Sequence, residues 1–107
     1  MEQPSWLKII QHNDIAYIEF TLTPSANISP EELAPAVDYA FRELNKLTNV
    51  RKIRLTGRGP IWLYVAMTHA VAHLAPVVQV YDATQRRWVT VTVHAPGHRI
   101  GDVEQEK

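Results

Sequence analysis

The most constraining feature of this sequence runs from Val50 to Asp82. "VRKIRLTG" reads as a short strand, "RGP" turns the chain, "IWLYVAMTHAVAHL" is a helix apolar almost all round, and "VVQVYD" is a buried strand. A strand, a helix and a second strand in this order form a crossover unit, which is right-handed in nearly all proteins and makes the two strands parallel. A helix apolar on every side needs cover from more than one direction, from the sheet and from a partner subunit.

The flanks extend the unit. "WLKIIQHNDIAYIEFTL" predicts two strands, Leu7–Gln11 and Ile15–Leu22, joined by a tight turn at His12, Asn13 and Asp14, residue types that suit such turns. In the second strand Ala16, Ile18, Phe20 and Leu22 form the more apolar face. Ser29 reads as a helix cap, Pro30 as the first helical residue, and Leu33, Val37, Ala40, Phe41 and Leu44 as a core-facing stripe. "WVTVTVH" predicts a last strand with Val89, Val91 and Val93 alternating. The expected fold is a small mixed-sheet α/β domain over residues 1–107. Its strand-helix-strand-helix-strand centre is Rossmann-like, antiparallel hairpin strands lie at the edges, and a polar tail follows from about residue 95.

Composition limits the function. Lysine plus arginine equals aspartate plus glutamate at 11 each, which disfavours a protein that coats long nucleic acid but leaves room for a small anionic ligand at a local basic spot. The absence of cysteine removes disulfides, zinc-thiolate sites and cysteine nucleophiles together, and fits a reducing cytoplasm. Neither a signal peptide nor a membrane span of about 20 apolar residues is legible, so the expectation is a soluble cytoplasmic protein.

Ligands of open parallel sheets gather beyond the carboxyl ends of the strands. Thr56, Gly57, Arg58, Gly59 and Pro60 fall at that place. The glycines would let backbone amides approach an anion, Arg58 offers a bidentate cation, and the helix start adds positive dipole. The same residues also make sense as a tight turn with a solvated arginine. His69 and His73, four apart on the predicted helix, share a face; that spacing suits a metal only with further ligands, and Asp82 ends the next strand. As a ligand signal the pair is weak: core or interface packing for one histidine, and a turn role for Asp82, account for the same residues. His94 and His98 flank a Pro-Gly turn and read as solvated loop residues. Trp6, Trp62 and Tyr64 read as core or interface.

"TGRGPIWLYVAMTHAVAHLAPVVQVYD", followed by "VTVTVH" and "RIGDV", resembles the small CRISPR-associated ring nuclease family of type III systems, called Csx-three or Crn-three. The resemblance is strongest from Thr56 to Asp82 and rests on "GRGPIW", a downstream histidine and "VYD". It implies a compact α/β fold, a homodimer, and dimers that stack as a tetramer or filament around cyclic tetra-adenylate. It implies Mn²⁺-dependent cleavage of that ring, and deadenylation of RNA 3′ ends. His73 and Asp82 match the catalytic pair and would also hold the metal; Gly57, Arg58 and Gly59 match the ligand loop. The family often reads "VYDPR" where this chain has "VYDATQRR", which leaves Arg86 as the residue to replace the displaced arginine.

Overall fold

The computed structural model describes residues 3–106. The strands are β1 (Leu7–His12), β2 (Ile15–Thr21), β3 (Lys52–Arg58), β4 (Val77–Asp82), β5 (Arg87–Val93) and β6 (Val103–Gln105), and the helices α1 (Leu33–Asn45) and α2 (Ile61–Val71). All six strands form one sheet in sequential order, β1 to β6. β2, β3 and β4 are parallel, and the flanking pairs are antiparallel. The mixed α/β architecture expected from the sequence is the observed one.

Two crossovers of one hand, both stepping the same way along the sheet, put α1 and α2 on one face, and the helices pack against each other. Between them and the sheet lies the core: Ala16, Ile18 and Phe20 from β2, Ile53 and Leu55 from β3, Ala36, Ala40 and Leu44 from α1, and Leu63, Met67 and Val71 from α2. Fully burying one leucine-sized side chain contributes about 1.5–3 kcal/mol, so this layer holds the fold. Phe41, expected in the α1 stripe, is 40% exposed. At 100° per residue it falls on the rim of the arc centred on Ala36, Ala40 and Leu44.

The helix starts later than expected. Pro30–Glu32 forms a 3₁₀ turn before α1, and the Glu32 carboxylate accepts the Ser29 amide at 2.9 Å. α2 buries only its Leu63–Met67–Val71 row, leaving Ile61 82% and Val65 64% exposed.

Two features of the C-terminal half depart from the sequence reading. In β5 the buried residues are Trp88 and Thr90, and the valines are only half-buried. On the helix side, Val91 lines an open apolar cavity with α2 residues, whereas the last residues cover the other face. The segment expected as a polar tail includes β6, which pairs with β5. The Thr90 amide donates to the Asp102 carbonyl and Gly101 donates back to Thr90, both under 3 Å. Among the described residues no helix is long and apolar enough to cross a membrane.

Candidate functional site

Because β2, β3 and β4 are parallel, their carboxyl ends share one edge of the sheet. Thr56, Gly57 and Arg58 are the last residues of β3 and not a loop; only Gly59 and Pro60 link it to α2. Register explains the first glycine. Gly57 lies opposite Phe20 at φ 104°, and a Cβ there would stand 2.1 Å from the Phe20 carbonyl oxygen. Its first requirement is therefore close approach to β2, not to a ligand. The Gly57 carbonyl accepts a hydrogen bond from the Tyr64 hydroxyl, one turn into α2. Burial pushes that hydroxyl's pKa up to about 12, so it remains a donor through the physiological range.

Arg58 is exposed, and among the described residues no carboxylate pairs with it. Its backbone carbonyl accepts the Leu22 amide at 3.2 Å, which ties the end of β3 to the segment after β2. Between them opens a cavity of about 270 Å³ lined by Thr23, Asn27, Arg58, Gly59 and Pro60 among others. The first amides of α2 have no intrahelical acceptor and add their dipole beside it. An unpaired guanidinium, a helix start and an asparagine in one cleft suit a small anion. Thr23 and Asn27 carried no motif and come to the site only through the parallel pairing of β2 with β3.

Asp82 ends β4 on the same edge. Its carboxylate takes the Arg87 Nε at 3.2 Å and the Gln85 amide at 3.4 Å, so it braces the β4–β5 hairpin. Arg86, the expected replacement for the displaced arginine, adopts φ 55° in that hairpin and pairs with Glu106 at 3.1 Å. The arginine on Asp82 is Arg87, which the sequence reading did not single out; its place opposite Asp82 across a four-residue turn was the available signal.

The histidines lie elsewhere. α2 ends at Val71, so His73 falls in the turn beyond it and does not continue a helical face with His69. His69 borders an apolar cavity of about 450 Å³ with Val65, Ala72, Val80 and Val91. The ring beside His73 is that of His94, with centroids 4.3 Å apart; the His94 amide donates to the Pro76 carbonyl and so holds the end of β5 against the entry to β4. His94, read as a loop residue, is the neighbour that antiparallel pairing of β4 with β5 supplies.

His73 and Asp82 thus sit at opposite ends of β4, and α2 separates His73 from Arg58. Six strand residues span about 20 Å, and 11 helical residues about 16 Å. One copy of the chain assembles an anion cleft and a carboxylate at one edge and a histidine pair at the other. Among the described residues no three metal-binding side chains cluster.

A small one-face α/β sheet with a Gly-Arg-Gly edge and a histidine turn at the far edge defines the class of protein. The model for CRISPR-associated protein (Cas_csx3) matches residues 22–105, and the chain belongs to that family. The matched span excludes β1 and β2. An Aquifex aeolicus (strain VF5) protein described only as uncharacterized is 35% identical over 92 residues, covering 86% of this chain and 78% of that protein. The solved structure of Pseudomonas aeruginosa DspI superposes with a TM-score of 0.52 at 13% identity, over 75% of this chain and 39% of that one, a likeness of fold alone.

Proposed function

We propose that this protein binds cyclic tetra-adenylate and cleaves one of its phosphodiester bonds with Mn²⁺, so switching off type III CRISPR antiviral signalling. The reading rests on membership of the CRISPR-associated family together with the exposed Arg58, which no carboxylate among the described residues pairs, beside the 270 Å³ cleft. The separation of His73 from Asp82 adds a condition: the catalytic set is composite. Asp82 and Arg58 come from one copy and His73 from another, as in a homodimer whose dimers stack around the ring.

In that arrangement Arg58, Gly59 and the start of α2 bind non-reacting phosphates and stabilise charge on the one being cleaved. Mn²⁺, when bound through Asp82 and the other copy's histidine, would offset charge on the phosphate oxygens. The His73 imidazole can both accept and donate a proton, and so suits transfer to the leaving oxygen or from the attacking one. Attack by the ring's own 2′-hydroxyl expels the next nucleotide's 5′-oxygen and leaves a 2′,3′-cyclic phosphate; attack by water expels the 5′- or the 3′-oxygen and leaves a phosphate monoester on the other side. RNA 3′ ends present the same adenylate chemistry and are the second substrate class of this reading.

A non-catalytic cyclic oligoadenylate sensor is the alternative, favoured by the same cleft, since it would need neither His73 nor Asp82. Incubation of the purified protein with cyclic tetra-adenylate in Mn²⁺ and in EDTA separates the two. Linear products in Mn²⁺ alone are expected. Intact ring in both samples, with binding seen by calorimetry, would establish the sensor.

A further inference from the structure

The helix-free face of the sheet is concave. The Glu104 carboxylate on β6 accepts Lys52 Nζ at 2.7 Å and Arg54 Nη2 at 3.0 Å, both from β3, and Gln79 Nε2 at 3.2 Å from β4. β3 and β6 are three strands apart, about 14 Å across a flat sheet, so such contacts require the sheet to curl into a trough. The register irregularity between Val78 and Gln79 in β4 supplies a bend.

The trough encloses about 550 Å³ among Tyr17, Lys52, Arg54, Trp88, Glu104 and Glu106, within the roughly 300–1,000 Å³ of small-molecule sites. Its floor is rigid. Gln79 and Thr90 are buried and bonded to each other at 3.1 Å, Gln79 accepts Arg54 Nε at 2.9 Å, and the Arg54 guanidinium lies 4.6 Å from the Trp88 ring centre. Two cations, Lys52 and Arg54, face a single carboxylate. Among the described residues the carboxylate paired with both is Glu104, on a three-residue edge strand, while Glu106, at the rim of the same trough, is taken up by Arg86 and Tyr81.

We propose that the trough is a binding site for a nucleoside monophosphate, and that Glu104 occupies the place of its phosphate. A phosphate monoester carries roughly −1.5 to −2 charge at neutral pH and offers three acceptor oxygens, which matches Lys52 plus Arg54 better than one carboxylate does. The base lies against Tyr17, whose edge-on contact with Trp88 at 5.9 Å keeps that ring in place. Entry of the ligand releases Glu104 from Lys52 and Arg54, leaving β6 held by its pairing with β5 and by Glu106. This site is separate from the Arg58 edge and does not depend on ring cleavage.

The test is calorimetric titration of the full chain with 5′-AMP and with adenosine, in wild type and Glu104→Gln, with melting curves to verify the fold. We expect Glu104→Gln to bind 5′-AMP at least about tenfold tighter than wild type, adenosine to show no gain, and added Lys52→Ala to remove it. A Glu104→Gln affinity equal to wild type, or a gain that survives Lys52→Ala, overturns the proposal. Should Glu104→Gln not fold, wild type answers alone: 5′-AMP at millimolar concentration raises its melting temperature, Lys52→Ala abolishes the rise, and no rise in wild type overturns the proposal.

Discussion

His73 and Asp82 stand at opposite ends of β4, the histidine in the turn that enters the strand and the aspartate as its last residue. No side-chain rotation joins groups about 20 Å apart. A reaction that uses both must draw them from different copies.

Complementation follows. His73→Ala and Asp82→Ala should each lose ring cleavage, whereas an equimolar mixture should regain activity that neither has alone. Each variant supplies the group that the other lacks. Cleavage time courses at constant total protein read this directly, and a mixture as inactive as its parts would exclude the shared site.

Arg58→Ala should weaken binding of cyclic tetra-adenylate by about 10- to 100-fold, the loss expected for a charged hydrogen bond of about 1.5–3 kcal/mol. The melting temperature should hold, since no carboxylate in the described residues relies on Arg58. Calorimetry and a thermal melt check the two halves. Unchanged affinity would move the ligand away from this edge.

Gly57→Ala should destabilise the fold by about 2–4 kcal/mol through clash and a disfavoured backbone conformation. The added methyl would meet the Phe20 carbonyl at 2.1 Å with φ at 104°. Urea unfolding gives the number. A loss under about 1 kcal/mol would mean that β2 and β3 separate easily at this point.

Acid should loosen the C-terminal strand. The Lys52 hydrogen bond, ahead of opposing burial, holds the Glu104 carboxyl below its ordinary value of 4.5. A depressed folded-state pKa adds stability that is present above the unfolded value and is lost as pH falls through the folded one. Melting temperature should therefore stay level down to about pH 4.5 on this account and decline below it. Glu104→Gln should show a shallower decline over that range; parallel acid limbs in the two proteins would assign the effect to other carboxylates.

Much of the fold was legible because it depends on local periodicity. The alternation of Ala16, Ile18 and Phe20, the apolar run of α2 and the strand-helix-strand order determined the mixed sheet and its parallel centre. Sequence also marked Arg58 and Gly57 as unusual, though Gly57 answers first to Phe20 across β2. Only the tertiary structure decided what each residue meets. Strand pairing brought His94 to His73, Arg87 to Asp82, and Asn27 to Arg58, while α2 ended early enough to remove His73 from the face of His69. Antiparallel pairing with β5 made β6 of the supposed polar tail and set Glu104 on Lys52 and Arg54. Such contacts join residues up to 52 positions apart, and no short-range pattern encodes them; they arise from register, twist and the side of the sheet that the helices leave open.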